Sequence, residues 1–262
     1  MTLALESVHA KIDRAEEHTH ILKNEVSAWL TDHPYRLVRQ VNSDSTRHGL
    51  VLRVVRAPNL KRWSLIMGDA VHTLRSAMDH LVYAIARHEL GSEPSDKLSK
   101  QLMFVIKDQP EDFRAAFWHI ASLGPDVRTA IESVQPYHRP HPQLPPLLAL
   151  LRDLDDSDKH RLLSVILAQA IKGDFSKIRN VRDGERVGFH VYKESLEDGT
   201  EVCALTTSSP TPNVTYDFKL KLTVAVKHVA GPNGNKTGLT SLMQFLLPEV
   251  RDVIGIVSGA VK

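Results

Sequence analysis

One long amphipathic helix, predicted from about Asn59 to His88, constrains the fold of this chain more than any other feature. Pro58 pre-sets the backbone for its first turn, and Gly91 with Pro94 ends it. On a helical wheel the apolar residues cluster on one side, namely Trp63, Met67, Ala70, Leu74, Ala77, Met78, Leu81, Ala84 and Ile85. A stripe of this length must be covered by other elements, which predicts a core built around this helix.

The other side of this helix is polar and ionisable. It carries Lys61, Asp69, His72, Arg75, Ser76, Asp79, His80 and Tyr83. Arg75 and Asp79 are one turn apart and are expected to pair, whereas Arg75 and His80 lie about 140° apart around the axis and would flank a groove. The alternative is a solvated face on which the Arg75–Asp79 ion pair contributes only about 0.3–0.5 kcal/mol.

The rest of the N-terminal half predicts a second long helix and a hairpin. Apolar residues at spacings of three, four or seven predict a helix over the first thirty residues, ending near Thr31. Two β-rich runs, Tyr35–Val41 and Gly49–Val55, flank the turn-forming residues Asn42–Thr46. Short helices are expected from about Pro110, Asp126 and Pro145, after an apolar run at Met103–Ile106.

Beyond residue 160 the chain becomes rich in strands. Turns are expected at Asp183-Gly and Asp198-Gly, and the glycine-rich loop Gly231–Gly238 leads into a last helix from Leu239. The predicted strands are Leu162–Ile171, Val187–Tyr192, Val202–Thr207 and a thirteen-residue alternating run, Val214–Val226.

These elements predict an α+β fold: a helix–β-hairpin–helix unit packed with a mainly antiparallel C-terminal sheet and a terminal helix. Because an isolated hairpin is unstable in water, we expect it to join the C-terminal strands. That favours one domain over residues 1–262, the alternative being a helical unit over 1–160 and a β-rich unit over 161–262.

Composition limits the function classes. Lys and Arg outnumber Asp and Glu only 33 to 31, so nucleic-acid contacts, if made, are expected to be local. The single cysteine, Cys203, excludes an intramolecular disulfide. We find no signal-peptide pattern and no apolar stretch long enough for a bilayer, and we expect a cytoplasmic protein without membrane partners or a cofactor.

The sequence Arg75-Ser-Ala-Met-Asp-His80 resembles the arginine, four-to-six-residue spacer, histidine motif of the HEPN superfamily. That superfamily consists of helical proteins, many of which are metal-independent RNases of toxin–antitoxin and phage-defence systems. The resemblance covers at most about the first 160 residues. It implies Arg75 and His80 as catalytic residues with Asp79 orienting them, RNA as substrate, a homodimer with facing helices, and an antitoxin-like protein partner.

The same helix is also similar to one in a group of uncharacterised bacterial proteins, which pair it with a later aspartate-lysine-histidine-arginine sequence. Here the matching residues are Gly68-Asp69, Arg75, Asp79-His80 and Asp158-Lys159-His160-Arg161. The further binding candidates are His72, Asp69, Tyr83, Lys159, His160 and Arg161. The alternative for the later sequence is helix capping, because basic residues favour a helix C-terminus.

Two other functions remain open from the sequence. A metal-dependent hydrolase would use His72, His80, Asp69 and Asp79, or His138 with His141, but neither set has a zinc-signature spacing, so no metal is predicted. A non-enzymatic protein would use the same polar groove to bind a partner or a small anionic ligand.

Overall fold

The computed structural model describes residues 3–169, 174–191, 195–231 and 236–262. The chain forms two compact units. The first, here called the helical unit, comprises residues 1–23, 61–163 and 240–262; the second, the sheet unit, comprises residues 24–60 and 164–239. One domain over 1–262 stays a prediction. No helix among the described residues is both long and apolar enough to cross a membrane.

The fold is α+β, as predicted. Both long helices are confirmed, and so are the shorter ones expected near Pro110, Asp126 and Pro145. The helices are α1 Glu6–Thr31, α2 Leu60–Leu90, α3 Asp96–Ser99, α4 Pro110–Ala115, a 3₁₀ helix Phe117–His119, α5 Pro125–Ser133, α6 Leu147–His160 and α7 Leu239–Gly259. All of these belong to the helical unit, except the last residues of α1 and the first residue each of α2 and α7.

Helix α2 is the centre of the helical unit. The apolar side predicted from the sequence is buried, apart from Ala84, which is half-buried. A second face is also covered, since Ile66, Val71 and Val82 are buried too. Within this unit α1 lies antiparallel to α2, with Lys11 near His80 and His18 near Asp69.

The described residues of the sheet unit form three antiparallel sheets. Its strands are β1 Tyr35–Val41, β2 Arg47–Val54, β3 Val165–Gln169, β4 Asp174–Arg179, β5 Val187–Val191, β6 Glu201–Thr207, β7 Thr215–Lys219, β8 Leu222–Ala230 and β9 Lys236–Gly238. The sheet orders are β1-β2-β6-β5, β3-β8-β9 and β4-β7. Because β2 pairs with β6, the N-terminal hairpin joins C-terminal strands, as predicted. Gly184 and Gly199 have φ values of 80° and 85°, which confirms both expected turns.

The prediction of one strand over Val214–Val226 is wrong. The run breaks at Leu220–Lys221 into β7 and β8, which lie in different sheets. Thirteen extended residues would span about 43 Å, far beyond the usual strand length. The partners are short, since β4 has six residues and β3 has five. Three predicted segments lie outside the described residues: the strand ends at 170–171 and 192, and the loop residues 232–235.

Candidate functional site

A polar cavity of about 330 Å³ lies in the helical unit. Its walls come from α2, the extended segment 103–107, the turn at 116–119 and α6. The lining residues are His72, Arg75, Ser76, Asp79, Met103, Phe104, Val105, Ile106, Lys107, Ala116, His119, Arg152, Asp155, Asp156 and Lys159. The cavity thus brings together residues that are up to 87 positions apart, from His72 to Lys159, and it is built entirely from one unit.

Part of the predicted site lines this cavity and part does not. His72, Arg75, Asp79 and Lys159 do, whereas His80 is not among the lining residues. Helical geometry explains the difference, because His72 lies about 60° from Arg75 around the axis and His80 lies about 140° away. His80 is half-buried on the side of α2 that faces Lys11, and burial, followed by the Lys11 charge, lowers its pKa.

The remaining predicted residues also lie outside the cavity lining. The Tyr83 hydroxyl donates a hydrogen bond of 2.8 Å to Glu93. Asp69 is exposed on α2, and His160 and Arg161 are exposed at the end of α6. The structure therefore brings together only the central part of the polar helix face and Lys159.

Arg75 and Asp79 hold one wall of the cavity in place. Arg75 Nη1 donates to Asp79 Oδ1 at 2.8 Å, which confirms the predicted ion pair. Arg75 Nη2 donates to the Phe104 carbonyl at 2.8 Å, and the Phe104 amide donates to Asp79 Oδ1 at 2.8 Å. These three bonds, called the Phe104 clamp below, satisfy both backbone groups of Phe104 as a neighbouring strand would. The Arg75 side chain is only 11% exposed, so it is part of the wall.

Gln135 holds the other edge of the same segment. Its buried side chain donates from Nε2 to the Val105 carbonyl at 2.8 Å, and its Oε1 accepts from the Lys107 amide at 2.8 Å. Successive residues of an extended chain present their backbone groups to opposite edges, which is why Phe104 faces α2 and its neighbours face Gln135. The apolar run predicted at Met103–Ile106 thus pairs with no strand in the part of the chain that the structure describes.

Asp155 on α6 connects two other lining residues, His72 and Lys159. Its carboxylate is 1% exposed and lies 2.9 Å from His72 Nδ1 and 2.7 Å from Lys159 Nζ. An ionised carboxylate only accepts hydrogen bonds, so Nδ1 carries the proton and Nε2 is the basic nitrogen of the neutral ring. The His72 side chain is 60% exposed, and the contact with Asp155 raises the pKa of Lys159.

A second histidine of the cavity is fixed in the same tautomer. His119 Nδ1 lies 2.7 Å from the Gln101 carbonyl oxygen, which is only an acceptor. The proton is therefore on Nδ1, and Nε2 is left as the basic nitrogen. The His119 ring stacks on Trp118 with 3.5 Å between the ring centroids. The cavity contains two imidazoles whose basic nitrogens are not used by these contacts.

The charged side chains of the cavity carry a small positive excess. Four are cations and three are carboxylates, which gives one net positive charge when the histidines are neutral. Arg152 donates to Asp108 at 2.8 Å and to Asp153 at 2.7 Å. Lys107 makes no ion pair with any residue that the structure describes. Its ammonium is available to a bound anion.

The two sequence patterns noted on α2 and α6 meet beside this cavity. Asp158 lies against Gly68, and its pKa is raised by burial and then by the negative charges of Asp69 and Asp155. The Gly68-Asp69 pair of α2 and the first residues of Asp158-Lys159-His160-Arg161 are therefore neighbours in space. This contact fixes α6, and with it Asp155, against α2.

Several lining residues were missed by the sequence reasoning. Of the four lining residues on α6, Lys159 was predicted, whereas Arg152, Asp155 and Asp156 were missed. All four follow the spacing i, i+3, i+4, i+7, so the polar stripe of α6 was a usable signal. His119 gave none, because it belongs to a three-residue 3₁₀ helix. Its place in the cavity depends on tertiary packing alone.

The residues considered for a metal do not form a site. Among the described residues, no group of three or more His, Cys, Asp or Glu side chains is arranged to hold a metal ion. His141 instead accepts backbone hydrogen bonds from Gln143 and Leu144 at 3.2 and 3.0 Å. His138 lies against Tyr137, with 4.5 Å between the ring centroids. Both histidines belong to the proline-rich segment 135–142 and thus have contacts with residues close to them in the chain.

Comparison of the chain with protein-family models, with curated proteins and with solved structures finds no match. The resemblance of Arg75-Ser-Ala-Met-Asp-His80 to the HEPN motif therefore stays a prediction from the sequence. What the site does has to be inferred from the chemistry of the cavity itself.

Proposed function

We propose that this protein is a metal-independent ribonuclease whose general base is His72. The observation that carries the proposal is the nearly fully buried Asp155 carboxylate, 2.9 Å from Nδ1 of the exposed His72, in a cavity with a net positive charge. A carboxylate in this position orients the ring and stabilises the imidazolium that forms when Nε2 takes a proton.

RNA suits this cavity because it carries its own nucleophile. His72 Nε2 removes the proton of a ribose 2′-hydroxyl, whose oxygen then forms a bond to the adjacent phosphorus. The bond from phosphorus to the 5′ oxygen breaks, and that oxygen receives a proton from protonated His119. The products are a 2′,3′-cyclic phosphate and a 5′-hydroxyl end. No protein nucleophile is needed.

The negative charge that develops on the phosphate requires cations in the cavity. Lys107 binds the phosphate of the substrate in this proposal, because its ammonium makes no ion pair within the described part of the chain. Arg152 and Lys159 lie in the same cavity but are already paired with carboxylates, so they contribute to the local field. Arg75 and Asp79 support the wall through the Phe104 clamp.

This proposal keeps the substrate class expected from the HEPN resemblance but moves the catalytic histidine from His80 to His72. All groups assigned here belong to one chain, so the proposed chemistry does not need a second copy. The homodimer and the antitoxin-like partner remain predictions from the resemblance.

Cleavage of RNA in EDTA by variants at His72 and His80 tests the assignment. His72→Gln is expected to lower the cleavage rate by roughly 10²–10⁴-fold, the usual contribution of general acid–base catalysis. His80→Gln is the matched control, since it makes the same change on the same helix outside the cavity, and it should leave the rate unchanged. His119→Gln should resemble His72→Gln.

Two results would contradict the proposal. One is wild-type protein that does not cleave RNA in EDTA. The other is a His80→Gln variant as inactive as His72→Gln, which would favour the arginine–histidine motif instead. An RNA with a 2′-deoxy substitution at the cleaved position must also resist, because it lacks the nucleophile.

A second candidate is binding of a small anionic ligand without turnover. The volume of about 330 Å³ favours it, because it is at the lower end of the range for ligand pockets. Tight binding of a nucleotide or inorganic phosphate by a protein that leaves RNA intact would support this function. Loss of that binding in a Lys107→Gln variant would place the ligand in the cavity.

A further inference from the structure

Two exposed aromatic side chains lie next to the cavity. Phe117 and Trp118 occupy the short 3₁₀ helix and are 36% and 56% exposed. Most large aromatic side chains of a soluble protein are covered, so an adjacent exposed pair points to contact with another molecule.

The aromatic pair is continuous with the cavity lining. Trp118 stacks on His119, which lines the cavity, with 3.5 Å between the ring centroids. Met103, another lining residue, is 42% exposed. The guanidinium of Arg128 lies over the Phe117 ring, 5.1 Å from its centroid, and adds positive charge to this surface. A ligand with both a phosphate and a flat apolar group therefore matches the cavity and its rim together.

We infer that Phe117 and Trp118 form a stacking platform for unpaired bases, so that the substrate is single-stranded RNA. This inference rests on the proposed function and names its substrate class. Every base has a π face, so aromatic stacking binds single strands with little sequence preference. A duplex keeps its bases stacked inside and cannot use the platform.

The tryptophans of this protein make the inference measurable. Of the three in the sequence, Trp29 and Trp63 are 5% and 2% exposed, whereas Trp118 is 56% exposed. A ligand that stacks on Trp118 quenches its fluorescence, and the two buried tryptophans provide a constant background. The His72→Gln variant is the protein to use, because binding is then measured without cleavage.

The experiment titrates His72→Gln with a short oligouridine, with an abasic oligomer of the same length and charge, and with the matching RNA duplex. We expect saturable quenching by oligouridine and much weaker effects of the other two. Adding Trp118→Leu to the His72→Gln protein should remove the quenching. It should also weaken the binding of a labelled oligouridine roughly 5- to 150-fold. Leu90→Ala is the control, because Leu90 is an exposed apolar residue at the end of α2. It should change neither the quenching nor the affinity for oligouridine.

Equal affinity for the abasic oligomer, or unchanged affinity in Trp118→Leu, would overturn the platform. If the Trp118 fluorescence changed with protein concentration in the absence of RNA, the platform would be overturned. The aromatic pair would then be a contact between two copies of the chain. The cleavage assay remains independent. A wild-type protein that cuts RNA while lacking base-dependent quenching keeps the proposed function and loses only this inference.

Discussion

The carboxylate of Asp158 on α6 packs directly against the α-carbon of Gly68 on α2. A Cβ at this glycine would overlap both carboxylate oxygens. Gly68 therefore permits the close approach of two helices that both line the cavity. The requirement is for space, because the backbone here is ordinary α-helix.

Gly68→Ala is expected to lower the free energy of unfolding by about 1–3 kcal/mol, the usual cost of overpacking, although alanine is the better helix former. Asp158 is half-buried, and its carboxylate must shift to admit the added methyl group. Gly255→Ala on α7 is the control, because nothing lies within 4 Å of the position that the added methyl group would take there. Urea denaturation measures the free energy of unfolding of both glycine variants. Adding Asp158→Ala to the Gly68→Ala variant should restore its stability. Equal stability of the two glycine variants would contradict the prediction.

Arg75→Lys is expected to lower the free energy of unfolding by about 1–2 kcal/mol. An ammonium group cannot span Asp79 and the Phe104 carbonyl as the guanidinium does. Arg87→Lys serves as control, because its ion pair with Glu93 is exposed on both sides. Urea denaturation compares the two variants. If Arg75→Lys abolished RNA cleavage at unchanged stability, Arg75 would instead act in catalysis.

Glu185 is expected to make stability depend on pH in acid. Hydrogen bonds from the Ser208 and Ser209 hydroxyls lower its pKa from 4.5 to about 2. The folded pKa is below the unfolded one, so this stabilisation is complete above pH 4.5 and is lost as the pH falls towards 2. Thermal melting of wild type and Glu185→Gln across this range should differ least at the acid end. Ser209→Ala should reduce the same difference, and parallel melting profiles would contradict the assignment.

Cys203 is expected to be unreactive in the folded protein. Burial, followed by the Glu201 charge, raises its pKa to about 12, and the thiolate is the reactive form. A thiol reagent should modify native protein very slowly and the urea-unfolded protein completely, with one thiol per chain. Rapid modification of the native protein would mean that β6 opens readily. The rate of Cys203 modification at intermediate urea concentrations measures the opening of the β2-β6-β5 region.

The fold was predictable where local periodicity decides it. Helix α2 was predictable from its apolar stripe, and two turns were predictable from Gly184 and Gly199. Both signals act within a few residues of the chain. The break at Leu220 did not follow, because the alternation of side chains continues while the pairing partner changes. Only the short lengths of the partner strands explain it.

The candidate site was predictable on one helix and not beyond it. His72, Arg75 and Asp79 were found because one helix face displays them together. The contribution of His119 and the role of Gln135 come from short or irregular segments, whose position depends on long-range packing. The choice between His72 and His80 needed the direction of each side chain, which the motif spacing does not give.

The Phe104 clamp and Gln135 hold the extended segment 103–107 from two sides, α2 on one edge and the turn that follows α5 on the other. In a sheet the distance between neighbouring strands is fixed by backbone hydrogen bonds at about 4.8 Å. Here side-chain length sets the distance instead. Shortening the Gln135 side chain by one methylene, as in Gln135→Asn, would therefore shift the segment and change the width of the cavity. Descendants of this chain could alter which ligands fit by substitutions that never touch the ligand.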